Sequence, residues 1–297
     1  MGRLTRPRAE QAPEELRSSA EWTSKIATFF SDSSAYWDDV YSSHTVKAHV
    51  YRNRMAVAAE WATAATGPGA VAADIGTGAG HFAVFLARRG VRVAAIDASE
   101  AMIARVAENA SEAGVGDLVV PIVSDAQRLE LGSATCDLVA AIGLLSWVEH
   151  PELALAEMAR VTRPGGQVIV TMDNAWSLSR WLDPGWHVSV RRFIHRIRQI
   201  TVKHRVAELP VQLPVPMALG EFRNLLCSAG LEPVKFQSVG FGPFTFLGRT
   251  VLTNRIGLRI DQVLQRLADH LVPWLRHFAI FHVAVAVKRP ESGAASP

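Results

Sequence analysis

From Ala70 onward the chain settles into one repeating pattern: a short apolar run, a loop, then a helical stretch closed by glycine. Residues 70–75 are the first run. Residues 81–89 follow as a helix, with Phe82, Phe85 and Leu86 on one face and Gly90 at its end. Residues 91–96 are the second run. Ser99 then stands where an N-cap belongs, ahead of a helix through Ala113 that Gly114 terminates. Residues 118–123, 137–142 and 167–172 supply three more strands, and residues 152–161 a further helix. None of these runs alternates strictly between apolar and polar, so both faces of each strand need cover. That is the pattern of a parallel sheet between two layers of helix. Right-handed crossovers in such a sheet put ligands beyond the carboxyl ends of the strands.

The flanks read differently. Residues 1–20, rich in Arg, Glu, Pro and Ser, are expected to be a disordered leader. Residues 21–66 carry helical apolar spacing, including Trp22, Ile26, Phe29, Phe30, Trp37 and Tyr41, and are read as an N-terminal helical lid. Gly67-Pro68-Gly69 turns the chain into the core, residues 67–175. Regularity breaks after Met172, and residues 176–216 are read as a cap insertion. Residues 217–290 resume the core, with a helix at Leu219–Ser228, a strand at 234–239, one or two amphipathic helices within 247–276 and a last strand at 278–287. Residues 291–297 are expected to be a disordered tail.

Composition excludes several classes. With 49% hydrophobic and 20% charged residues the chain is ordinary globular material. Its formal charge of +3 is local: residues 180–205 hold seven basic side chains against Asp183. So narrow a basic stretch does not indicate nucleic-acid binding. Cys136 and Cys227 cannot form a disulfide framework or a zinc cluster, and no metal site is expected. No apolar run reaches the roughly 18 residues of a membrane span. The polar start lacks the apolar stretch of a signal peptide, so a cytoplasmic location is expected.

The most informative residues are Asp74-Ile-Gly76-Thr-Gly78-Ala-Gly80, between the first strand and the first helix of the repeat. Alternate glycines let the backbone turn and approach a ligand closely. A dinucleotide fingerprint would need glycine at position 81, where this chain has His81. Asp97, at the end of the second strand, can accept hydrogen bonds from ribose hydroxyls. Asp125, after the third, can receive an exocyclic amine.

These residues, with Cys136-Asp137-Leu-Val-Ala-Ala-Ile142-Gly-Leu-Leu145 and Leu155-Ala-Glu157-Met-Ala-Arg160-Val-Thr-Arg-Pro164-Gly-Gly166, carry a resemblance. Over residues 46–175 the chain is similar to the class I S-adenosylmethionine-dependent methyltransferases, nearest their UbiE/UbiG-like branch (type 11/12). The resemblance implies a Rossmann-like α/β fold of seven strands in the order 3-2-1-4-5-7-6, the last antiparallel. It implies S-adenosylmethionine as cofactor and S-adenosylhomocysteine as product. By position, Asp74, Gly76, Thr77, Gly78 and Gly80 would face the methionine part, and Asp97, Ala98 and Met102 the ribose and adenine. Asp125 and Ala126 would hold the adenine edge, and Ile142 and Gly143 would lie under the sulfonium. Where many relatives have Glu-His or His-His after the fourth strand, this chain has Ser146-Trp147.

The expected reaction is methyl transfer to a small-molecule acceptor, oxygen favoured over carbon or nitrogen, on a secondary metabolite, quinone, lipid or sugar. A non-catalytic binding protein and an NAD-dependent oxidoreductase are the alternatives. His187 and His150 are the candidate bases, ahead of His44 and His81. Tyr36, Tyr41, Trp147, Trp176 and Trp186 are the candidate acceptor-binding residues. The basic stretch 190–205 has the spacing of an amphipathic helix that could rest on a membrane or anionic lipid, and a homodimer is left open.

Overall fold

The structure is a computed structural model and describes residues 14–32, 37, 40–41, 43–184, 215–247 and 249–289. Two long helices precede the sheet, α1 (Glu14–Asp32) and α2 (Val46–Ala65). Thr45 caps α2, its hydroxyl accepting from the Ala48 amide at 3.1 Å. The leader read over residues 1–20 is therefore helical from Glu14.

The core then runs β1 (Val71–Ile75), α3 (His81–Ala87), β2 (Arg92–Asp97), α4 (Glu100–Glu112), β3 (Val119–Val123), β4 (Cys136–Ala141), α5 (Pro151–Val161) and β5 (Thr162–Asp173). Ser99 caps α4 as its position predicts, accepting from the Met102 amide at 3.2 Å. After β5 come α6 (Leu178–Leu182), α7 (Leu219–Ser228), β6 (Leu231–Val239), a hairpin of β7 (Thr245–Phe246) and β8 (Arg249–Thr250), α8 (Asn254–Arg266) and β9 (Phe281–Lys288).

Seven strands form one sheet in the order β3-β2-β1-β4-β5-β9-β6. β9 runs antiparallel to both β5 and β6, and the other pairings are parallel. This is the expected fold class, with its last strand antiparallel. Because β9 lies between two strands, Phe281 through Ala286 are all buried. One face of the sheet is covered by α5 and α7, through residues such as Leu155, Met158, Phe222 and Leu226. The other is covered by α2, α3 and α4, through Ala58, Trp61, Phe82, Leu86 and Val106.

β5 starts five residues before the strand read at 167–172, because a register shift between Cys136 and Leu138 accommodates Pro164-Gly165-Gly166. The segment after β5 is anchored at its two described ends. Asn174 bridges to Met217, and its side-chain amide donates to the carbonyls of His277 and Ala279, both at 2.7 Å. The basic stretch 190–205 lies outside the described residues. Among those described, no helix is long and apolar enough to cross a membrane, and no cluster of His, Cys, Asp and Glu could hold a metal ion.

Candidate functional site

The carboxyl ends of β1, β2 and β4 and the loops behind them form the floor of a cavity of about 610 Å³, and α1 and α2 form its cover. The glycine loop is tied to the end of β2. The Thr77 amide donates to the Ile96 carbonyl at 2.9 Å, and the Gly78 amide donates to Asp97 Oδ2 at 3.0 Å. The other Asp97 oxygen accepts from the Ser99 amide at 2.9 Å. Asp97 thus sets the loop's shape and keeps lone pairs on both oxygens for a ligand. Gly76 has φ +67°, and a Cβ there would come within 2.7 Å of Leu144 Cδ1. A Cβ on Gly78 would meet nothing within 4 Å, so this part of the loop borders open space.

Asp74 is buried under the loop, and the Thr77 hydroxyl donates to its Oδ2 at 2.6 Å. Burial pushes its carboxyl up to about 7; the Thr77 bond opposes the shift and the nearby Asp97 adds to it. Burial also raises Asp97, against the pull of its backbone donors. Asp125 accepts from the Thr23 hydroxyl of α1 at 3.0 Å and from the Gln127 amide at 2.9 Å.

Of the residues selected from sequence, Asp74, Gly76, Thr77, Gly78, Asp97, Ala98, Met102, Asp125, Ala126, Ile142, Gly143, Tyr41 and Trp147 all line this one cavity. Three others do not. Gly80 sits behind the loop, where a Cβ would press on Val106 at 3.1 Å, so its place is in helix packing. His150 is directed away from the cavity at the start of α5, its Nδ1 3.0 Å from Glu152 Oε1. The short helical turn Leu145–Trp147 turns Trp147 inward, and the chain has left the cavity by His150. Trp176 is exposed and borders no part of the cavity. Tyr36, Trp186 and His187 lie outside the described residues.

The far end of the cavity is aromatic and cationic. Trp147 stacks on Phe29 at 5.9 Å between ring centroids and meets Phe30 edge-on at 5.2 Å. The Trp22 indole donates to the Trp147 carbonyl at 2.7 Å, which ties α1 to the loop after β4. Tyr41 lies 5.2 Å from the His81 ring and 6.4 Å from Tyr51. Lys47, Tyr51, Arg54, Asp173 and Phe281 complete this end. Lys47, Arg54, Asp173 and Phe281 escaped the sequence reading. One signal was available for the first two: Lys47, Tyr51 and Arg54 fall at i, i+4 and i+7, one face of α2. Burial raises Asp173, opposed by the charges of Arg54 and Arg180.

A methyltransferase-domain family model matches residues 73–170, the stretch that carries the glycine loop, Asp97, Asp125 and β4. Residues 73–170 are a class I, S-adenosylmethionine-dependent methyltransferase domain. Two curated relatives are the phosphatidylethanolamine N-methyltransferase of Cereibacter sphaeroides, 37% identical over 97 residues, and the ubiquinone biosynthesis O-methyltransferase of Caulobacter vibrioides, 32% identical over 126. The first match covers 33% of this chain and 47% of the relative, the second 38% and 50%. The chain thus spans about half the length of these relatives. Among solved structures, the 4+2 cyclase SpnF shares the fold at a TM-score of 0.52 and 20% identity, over 78% of this chain and 80% of that one. The methyltransferase domain fits its cofactor on its own geometry. It offers a volume in the range of small-molecule sites, open space beside Gly78, two carboxylates with spare lone pairs, and an apolar slot of Ala98, Met102 and Ala126.

Proposed function

We propose that the protein transfers a methyl group from S-adenosylmethionine to an oxygen of a small, largely aromatic or apolar acceptor. One observation carries this reading: the cofactor end, at Asp97 and Asp125, and the aromatic end, at Tyr41 and Trp147, belong to a single cavity. Donor and acceptor would share one space.

When bound, the cofactor supplies an electrophilic methyl group on a sulfonium, and displacement is in line, so the protein's work is mainly positioning. Gly76, Gly78, Asp97 and Asp125 would hold the donor, with Met102 and Ala126 against its adenine. Phe29, Phe30, Trp37 and Trp147 would exclude water and press the acceptor toward Gly143. An oxygen nucleophile gains from losing its proton in the transition state. Among the described residues His81 is the histidine that lines the cavity, so we assign proton acceptance to its imidazole in place of His150. Oxygen is preferred because that proton acceptor is present; the two curated relatives, one acting on nitrogen by its name and one on oxygen, leave the atom to experiment.

Calorimetric titration with S-adenosylmethionine, S-adenosylhomocysteine and NAD⁺ in parallel tests the reading. Binding of the first two alone is expected. NAD⁺ binding alone would overturn it. Transfer of labelled methyl from the cofactor to a panel of phenolic and lipid-like acceptors then identifies the acceptor class.

A further inference from the structure

Helix α8 presents three faces, and one of them packs on the rest of the fold. Gly257 lies so close to α2 that a Cβ there would come 2.7 Å from Val46 Cγ2. One turn on, Asp261 is fully buried, its Oδ1 accepting from the amides of Phe241 at 2.7 Å and Gly242 at 3.0 Å. Ile256, Ile260 and Val263, at i, i+4 and i+7, form a second face, and all three are exposed. Arg255, Arg259 and Arg266 form the third, alongside that stripe, and are exposed as well. Among the described residues no carboxylate lies within ion-pair distance of these arginines. Asp261 is the acid of α8 and it is buried, so the helix shows solvent an aliphatic row and a cationic row side by side. Beyond the helix the chain exposes Leu271 (74%) and Trp274 (61%), and the hairpin that leads into it exposes Phe246. Single exposed apolar side chains are ordinary, but an aliphatic row along one helix face marks a contact surface.

We propose that this surface docks the protein on an anionic lipid bilayer. A helix lying in the plane of a membrane interface needs an aliphatic stripe for the acyl boundary and basic side chains at its edge for the phosphates. Arginine stems run along apolar surface while their heads reach the headgroups, which Arg255, Arg259 and Arg266 can do beside Ile256, Ile260 and Val263. The exposed indole of Trp274 suits the same depth, where one side is apolar and the other wet. Charge selects the occupant. Three arginines and no exposed acid on α8 call for a negative surface, and a second copy meeting it through the same face offers none. The contact between Gly257 and Val46 sets α8 next to Lys47, at the aromatic and cationic end of the cavity. Docking through α8 would hold that end near the lipid.

The test is co-sedimentation of the full chain with vesicles of phosphatidylcholine containing about one quarter phosphatidylglycerol, and with vesicles of phosphatidylcholine alone. Wild-type protein is expected to bind the anionic vesicles about tenfold or more tighter, with the difference shrinking at high salt. Combined Arg255→Gln, Arg259→Gln and Arg266→Gln should remove most of that preference. Combined Ile256→Ser, Ile260→Ser and Val263→Ser should weaken binding to the anionic vesicles about tenfold or more. Both variants change exposed side chains, and urea unfolding is expected to show that they fold. Should either fail to fold, Arg259→Gln and Ile260→Ser alone, with the wild-type comparison, still decide. No binding of wild type to the anionic vesicles, or equal binding to both kinds, would overturn the inference. Binding that both variants retain would overturn it too, and would move the lipid contact elsewhere, to the basic stretch 190–205 first. A dimer in light scattering that the serine variant dissolves, without vesicle binding, would give the face to a second copy instead. Failure of wild type to bind S-adenosylhomocysteine would sink the methyltransferase reading and leave the vesicle result standing.

Discussion

The two ends of the cavity are assembled in opposite ways. The cofactor end comes mostly from residues 74–143, backbone and short side chains at the ends of neighbouring strands. The aromatic and cationic end gathers α1, Tyr41, one face of α2, Trp147, Asp173 at the end of β5 and Phe281 at the start of β9. A pocket made of loop backbone depends on glycine and acid spacing within one stretch of chain. A pocket made of side chains from distant elements depends on which elements meet. The first kind tolerates little change, and the second can be altered one residue at a time.

The sharpest way to break this contrast is Gly76→Val. With φ at +67° and Leu144 only 2.7 Å from a Cβ, the loop must move or the protein must lose stability. A loss of roughly 2–4 kcal/mol in urea unfolding is expected, with S-adenosylhomocysteine binding abolished. Retained binding would mean that the loop is not the cradle. Asp97→Ala comes next. Removing a carboxylate that also shapes the loop through Gly78 and Ser99 should weaken S-adenosylhomocysteine by about 100-fold in calorimetry. Unchanged affinity would detach Asp97 from the cofactor.

A pH series separates site from scaffold. Asp74 is held at about 7, above its ordinary value, so the folded state binds the extra proton and stability should fall as pH rises from about 4 to 7. His282, buried in β9 beside Ser238 with its imidazole pushed down to about 4, acts oppositely. Its contribution is lost as pH falls from about 6.5 to 4. Each slope is at most about 1.4 kcal/mol per pH unit. Asp74→Asn should therefore weaken the fall in stability between about pH 4 and 7, to which Asp97 and Asp173 also contribute, and His282→Gln should steepen it, both read by urea unfolding. The smallest expected effect is at the aromatic end. Trp147→Ala should weaken a phenolic probe, 2-naphthol, by roughly 1 kcal/mol while S-adenosylhomocysteine binding changes less than about twofold. Equal losses for both ligands would show that the two ends are not separable.

Much of the sheet was legible because its signals are local. Ser99 stands beside the backbone amide it caps, and unbroken apolar runs such as residues 138–142 mark strands covered on both faces. The start of β5 was not, since it depends on a register shift against β4 that no periodicity records. The same division runs through the site. Asp97 and Asp125 follow strands directly and were named from spacing. His150 was named too, but a short turn carries it out of the cavity and leaves His81 inside.

The sequence by itself determined the strand–loop–helix repeat, the glycine loop and the two aspartates, because each rests on interactions between residues close along the chain. Only the tertiary structure decided that Thr23 reaches Asp125 across 102 positions, and that Trp22 ties α1 to Trp147. It alone set Arg54 between Tyr51 and Phe281 with its fork against Gly143. Those contacts follow from where β9 enters the sheet and how α1 and α2 lie over it, and packing of that kind leaves no short-range pattern in the chain.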